Sequence, residues 1–128
     1  MRTITDHIVE GDLPQNQLTI EVTDKPGAGG ANHIYAISTQ QGKGQTGSGR
    51  FYNTIRFQNG PIKESGVNGI TQEVLLAIVI DRLRSFQKGL YPCDENECAL
   101  RHAEAALLYL QRRTQKRLAR GVDGQAQA

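Results

Sequence analysis

A chain of 128 residues is long enough for one compact domain and too short for two ordinary ones. Apolar residues make up 38% and aromatics 5%, with no Trp, so the core is lean and self-association would add stability. The formal net charge of +2 is too weak for a protein that coats nucleic acid, which carries a strongly basic face.

No apolar run follows Met1, so no signal peptide is expected. The longest apolar run, residues 74–80, is far too short to cross a bilayer. The protein is therefore expected to stay in the compartment that makes it. Cys93 and Cys98, the two cysteines, read as reduced thiols.

The first half reads as β. Residues 4–9 are a candidate edge strand. Leu18, Ile20 and Val22 alternate with Thr19, Glu21 and Thr23, the period of a half-buried strand. The run Asp24-Lys25-Pro26-Gly27-Ala28-Gly29-Gly30-Ala31-Asn32 is rich in breakers and reads as a loop. A second strand is expected over 33–39. Residues 41–50 alternate Gly with small polar residues, as at a hairpin tip. A third strand follows over 51–57, with Phe51, Asn53, Ile55 and Phe57 on one face and Tyr52, Thr54, Arg56 and Gln58 on the other.

The second half reads as two helices. Thr71 serves as N-cap after the Asn68-Gly69 turn. Leu76, Val79, Ile80, Leu83 and Phe86 keep helical spacing up to Gly89, expected as the C′ residue. Leu90-Tyr91-Pro92-Cys93 makes the turn, and Asp94 with Glu97 has the spacing of a capping box. Leu100, Ala103, Leu107, Leu110, Thr114 and Leu118 line one face of the second helix, which should stop near Gly121. A short link between two amphipathic helices predicts an antiparallel hairpin. The fold class is thus α+β: a small antiparallel β-sheet in a β-rich part (1–66), then a C-terminal two-helix hairpin (67–124). Both belong to one compact domain, with a frayed tail at 125–128.

Three features can carry chemistry, and each has a plainer alternative. Arg113, Arg117 and Arg120 fall along one stripe of the last helix, beside Arg112 and Lys116. A row of guanidinium forks suits phosphate. It equally suits a solvated basic turn favoured by the helix dipole. The glycine loop before His33 can bring backbone N–H groups close to an anion. It lacks the Gly-Lys-Ser/Thr of a Walker loop and also fits a simple β-connection. Phe86 and Asn96 flank the hairpin turn. Phe offers a stacking face and Asn a reader for a base edge, or they are a core Phe and a capping Asn.

Cys93, Cys98, His102 and His33 match no familiar zinc spacing, and no metal or other cofactor is expected. Asp81, Glu64 and Glu73 are scattered, and the histidines have no nucleophile motif beside them. No enzyme signature emerges.

Several stretches together carry a resemblance. They are Arg56-Phe57-Gln58-Asn59-Gly60-Pro61-Ile62-Lys63-Glu64, Gly66-Val67-Asn68-Gly69-Ile70-Thr71, Leu83-Arg84-Ser85-Phe86-Gln87-Lys88-Gly89 and Cys93-Asp94-Glu95-Asn96. With them go Leu110-Gln111-Arg112-Arg113-Thr114-Gln115-Lys116-Arg117 and Arg120-Gly121-Val122-Asp123-Gly124. The sequence resembles the phage Thoeris anti-defence signal sponges of the first-described type, over roughly residues 18–124. Its hairpin is similar to one in phage sponges that act against cyclic-oligonucleotide (CBASS) defence.

The resemblance implies a non-enzymatic protein in the cytoplasm of the infected bacterial host. It would sequester glycocyclic ADP-ribose, the messenger made from NAD by a TIR-domain protein, without degrading it. The ligand would sit between two protomers, against Phe86, Asn96, Arg113 and Arg117, with Arg56, Ala31 and Asn32 as less direct transfers. The resemblance further implies a homodimer, or a hexamer built as a trimer of dimers, and cyclic trinucleotides as a further ligand class. The alternative is a small phage nucleic-acid-binding or regulatory protein that uses the basic last helix. Its modest charge and lack of a helix-turn-helix pattern argue against it.

Overall fold

The computed structural model describes residues 1–11, 17–39 and 52–121. The expected hairpin tip at 41–50, the start of the third strand at Phe51 and the tail from Gln125 lie outside the described residues, as do Val122, Asp123 and Gly124. The chain forms two units. The first holds residues 1–60 and 67–69, and the second holds residues 61–66 and everything from Ile70 onward.

The first unit is a four-stranded antiparallel sheet of β1 (Arg2–Ile4), β2 (Leu18–Val22), β3 (Ile34–Thr39) and β4 (Tyr52–Arg56), in that spatial order. Alternation sets the register, since a one-residue slip would turn every side chain over. Ile4, Ile20 and Ile37 stand side by side, as do Val22, Tyr35 and Ile55. Val22 is the most enclosed residue of the sheet, at 1% exposure, and Ala36 is buried on the opposite face. Tyr35 meets the edge of the Phe57 ring at 5.5 Å between centroids.

The edge strand expected over 4–9 lies earlier, at Arg2–Ile4. After Ile4 the chain turns: the Ile8 N–H donates to the Thr5 carbonyl, and His7 Nε2 lies 2.7 Å from the Leu18 carbonyl. The second strand begins at Ile34 instead of residue 33, where the preceding loop closes on a side chain. The Asp24 carboxylate accepts from the N–H groups of His33 (2.9 Å) and Ile34 (3.2 Å). Asn32 Nδ2 donates to the Asp24 carbonyl at 2.8 Å. Inside the loop thus closed, Ala28–Gly30 form one 3-10 turn, and Gly29 and Gly30 hold φ of 74° and 83°, which favour glycine.

A second closure ties β4 to the segment 67–69. Asn59 and Asn68 exchange two bonds: the Asn59 N–H donates to Asn68 Oδ1 (2.8 Å), and Asn68 Nδ2 donates to the Asn59 carbonyl (2.7 Å). The Asn68 N–H also donates to Gln58 Oε1 at 3.0 Å. Gly69 then lies flat against the main chain, where a Cβ would stand 2.4 Å from the carbonyl carbon of Phe57.

The second unit contains a short helix that the sequence reading did not anticipate, α1 (Ile62–Ser65), then α2 (Gln72–Lys88) and α3 (Asp94–Ala119). Thr71 Oγ1 caps α2 by accepting from the Val74 N–H, as expected. Gly89 ends α2 with φ of −86°, so the left-handed C′ geometry expected there is not used. The cap of α3 is Cys93, one residue before the expected Asp94: its sulfur accepts from the Asn96 N–H at 3.4 Å. Asp94, Glu95 and Glu97 fall in the first turn, where they favour the positive end of the helix dipole. Arg120 caps the far end, and Gly121 follows with φ of 71°. The two helices pack on each other as an antiparallel hairpin.

Two outcomes follow. Gly69→Ala should cost about 1–3 kcal/mol, because the backbone of Phe57 cannot yield as a side chain would; urea unfolding will measure it. Desolvation works against ionised Asp24, but the N–H groups of His33 and Ile34 outweigh it and hold its carboxyl below the usual range. Its contribution to stability is then full above the unfolded value near 3.8 and is lost as pH falls through the lower folded value. In Asp24→Asn, unfolding curves at neutral pH and near pH 3 should differ less than in the parent.

Candidate functional site

The hairpin has two unlike margins. At 100° per residue, one side of α2 carries Arg84 and Gln87, and the facing side of α3 carries Glu97, Arg101 and Glu104. These residues form a connected polar ladder. Arg84 reaches across from α2 to Glu104 at 2.8 Å, and Arg101 bonds both Glu104 (2.9 Å) and Glu97 (2.7 Å). The hydrogen bond from Arg84, reinforced by Arg101, holds the Glu104 carboxyl below its usual range. Arg101 is held above its own usual range by Glu97 first and Glu104 second.

Between the margins lies the core seam. Ile80 of α2 and Leu100 of α3 are buried, while Leu76, Leu83, Ala103, Leu107 and Leu110 are half-buried. Most of the apolar stripe expected from helical spacing lies at the inter-helix contact, but Val79 and Phe86, counted in it from the sequence, are 45% and 48% exposed. Leu118, assigned to it from the sequence, is 60% exposed, since α3 runs on past the beginning of α2.

The other margin is open. Gln72, Leu75, Leu76 and Val79 of α2 and Ala106, Tyr109 and Leu110 of α3 line a groove of about 560 Å³. Its rim stays apolar and exposed: Val79 and Tyr109 are 45% and 66% accessible. Single exposed apolar residues are ordinary, but a contiguous row of them on one helix margin marks a surface that takes a partner.

The candidate residues are distributed around this margin. Phe86 follows Val79 along the same side of α2 and is 48% exposed, so it is no core residue; the Arg82 guanidinium lies over its ring at 5.3 Å. Asn96 sits half-buried in the first turn of α3, its N–H committed to the Cys93 cap and thus not itself the capping residue. Arg113 is exposed one turn beyond Tyr109, and Arg117 is half-buried one turn further. Asn96 and Arg113 are 17 residues apart on one helix, about 25 Å of rise. A single hairpin therefore places Phe86 and Asn96 at its closed end and Arg113 and Arg117 at its open end, and does not unite the two pairs.

The remaining candidates belong to the first unit. Ala31 and Asn32 end the glycine loop; Asn32 Oδ1 accepts from Arg2 at 2.9 Å while its Nδ2 secures Asp24. Arg56 closes β4, exposed and opposite Ile34. Among the described residues no cluster of three or more His, Cys, Asp or Glu could hold a metal, and no helix is long and apolar enough to cross a membrane.

Residues 52–115, half of the chain, match the family described as Acb2/Tad1, hairpin domain. The chain belongs to this family. The match spans β4, α1, α2 and most of α3, so it covers both margins of the hairpin. Phe86, Asn96 and Arg113 lie inside the Acb2/Tad1 segment, and Arg117 lies two residues past it. A relative is "Thoeris anti-defense 1" of Bacillus phage SBSphiJ7, 46% identical over 71 residues. That alignment covers 56% of this chain, which spans about half the length of the relative.

Sequence reasoning singled out Phe86, Asn96 and the arginine stripe as candidates, and it did not single out Gln87, Arg82 or the ladder. Glu97, Arg101 and Glu104 carry an i, i+3/i+4 charge pattern within α3, so that half of the ladder was legible, while its link to Arg84 on α2 was not.

If the seam carries the fold and Phe86 does not, two truncations will separate. Leu100→Ala should cost about 2–5 kcal/mol. Phe86→Ala should cost no more than about 1 kcal/mol, since only half of its side chain leaves water. Thermal and chemical unfolding of the two variants check the contrast.

Proposed function

We propose that the chain is a phage anti-immune sponge that sequesters glycocyclic ADP-ribose and performs no chemistry on it. Membership of the Acb2/Tad1 hairpin family and the relative's name, an anti-defense protein of a Bacillus phage, support this reading. The observation that carries it is the division of the site. A stacking ring with an amide lies at one end of the open margin, and two guanidiniums lie at the other, about 25 Å away along the helix. Two hairpins laid antiparallel through their apolar margins would bring the Phe86–Asn96 end of one protomer to the Arg113–Arg117 end of its partner. The groove between the ends would be covered in the same event.

Each residue then has a task that suits its chemistry. The Phe86 ring stacks on adenine, and the Arg82 guanidinium over its other side keeps it oriented. The Asn96 side chain reads a base or ribose edge. Arg113 and Arg117 grip the diphosphate by forked hydrogen bonds. Ala31, Asn32 and Arg56 remain further ligand-contact candidates that the family resemblance suggests. Charge-assisted bonds contribute about 1.5–3 kcal/mol each, and a stacked base about 1–3 kcal/mol. Together they reach the roughly −12 kcal/mol of nanomolar binding. Slow release from a covered site is all that sequestration needs; no nucleophile, base or metal takes part. Cyclic trinucleotides are a second ligand class under the same reading, held by a homodimer or a trimer of dimers.

Titration calorimetry with glycocyclic ADP-ribose tests the proposal, followed by heat release and mass spectrometry of the ligand. Tight binding and recovery of the intact messenger are expected; a cleaved product would make the protein an enzyme. Arg113→Ala and Arg117→Ala should each weaken binding by about tenfold or more, that is by at least 1.4 kcal/mol, with unchanged melting. Mixing Phe86→Ala with Arg113→Ala protein should restore part of the binding, because a mixed dimer rebuilds one whole site. A steep salt dependence with duplex DNA instead would favour the nucleic-acid reading.

A further inference from the structure

The closed end of the hairpin poses a mechanical problem. Phe86 belongs to the last turns of α2 and Asn96 to the first turn of α3, and residues 89–93 join them. Apolar packing does not steady this link, since Leu90 and Tyr91 are 88% and 85% exposed. What spans it is one side chain. Gln87 Oε1 accepts from the Cys93 N–H at 3.1 Å, while Gln87 Nε2 donates to the Cys93 carbonyl at 3.1 Å and to Glu97 Oε2 at 3.4 Å. The amide thus satisfies both main-chain groups of one residue, as a neighbouring strand would.

That residue is Cys93, whose sulfur accepts the Asn96 N–H and begins α3. Glu97, the third contact, is joined through Arg101 and Glu104 back to Arg84 on α2. A closed circuit results, running from Gln87 through Cys93 to Asn96 on one path and through the ladder on the other.

We propose that Gln87 is a positioning residue that fixes the separation and orientation of Phe86 and Asn96, so that stacking and edge reading address one ligand at once. The proposal rests on the ligand roles of Phe86 and Asn96 given above. It requires the amide in particular. A carboxylate in its place still accepts the Cys93 N–H but has no proton for the Cys93 carbonyl, and it faces the negative Glu97. A protonated carboxyl regains the donor and the neutral charge.

The test uses the full chain with Gln87→Glu and Gln87→Ala. For Gln87→Glu, calorimetry should give binding of glycocyclic ADP-ribose weakened about tenfold at neutral pH. Affinity should return toward the parent's near pH 5, where a carboxyl beside Glu97 takes up its proton above the ordinary value of about 4.3. The parent is run over the same range as control, since Glu97, itself paired with Arg101, contacts the same amide. Gln87→Ala should be weak at every pH. In the ligand-free protein, Gln87→Ala should speed hydrogen exchange at the Cys93 and Asn96 amides while the centre of α3 keeps its protection. Variants that bind as the parent does, or loss of affinity in Gln87→Glu without recovery at low pH, overturn the role of Gln87 and leave the messenger site standing. Failure of the parent itself to bind overturns the site reading and this proposal with it.

Discussion

The constraint on which the molecule depends is that α2 and α3 share a seam narrower than the apolar surface they offer. Only Ile80 and Leu100 are fully withdrawn from water there, flanked by half-buried leucines. Burial of apolar area is the main favourable term in folding, so a seam this slim leaves the hairpin little to spare. The polar ladder on one margin then orients the helices more than it stabilises them, because exposed ion pairs contribute little. The other margin leaves Val79 and Tyr109 exposed along an open apolar groove.

This arrangement accounts for the split placement of the candidate residues. A helix hairpin has two ends and few ways to bring them together. Side chains at the turn and side chains at the termini stay a helix length apart within one chain. Function at both ends needs either two sites or a second copy. The apolar margin between the ends and the polar ladder on the far side are what the proposed pairing of two hairpins builds on.

Much of this was legible in the sequence. Alternation at Leu18, Ile20 and Val22 gave β2, and the spacing from Leu76 to Leu118 gave two helices that pack together. Thr71 declared its cap. The errors have physical causes. The cap of α3 fell on Asp94 by habit of residue type, but a thiol at Cys93 can accept the same N–H. The strand expected from residue 33 begins at Ile34, after a loop closed by a carboxylate nine positions before His33, a pairing with no local signal. Gly89 suggested a left-handed C′ that the backbone does not adopt. The arginine stripe was visible as spacing. Its distance from Phe86 was not, because helical periodicity says which face a residue shares and leaves its place along the hairpin to the turn.

The two margins also answer the solvent in opposite ways. Dissolved ions screen exposed charge pairs such as Arg84–Glu104. Salts excluded from protein surfaces strengthen apolar association of the kind the groove invites. As ionic strength rises, then, one edge of the hairpin loosens while the other grows stickier. The balance shifts from holding its own helices in line toward holding a neighbour.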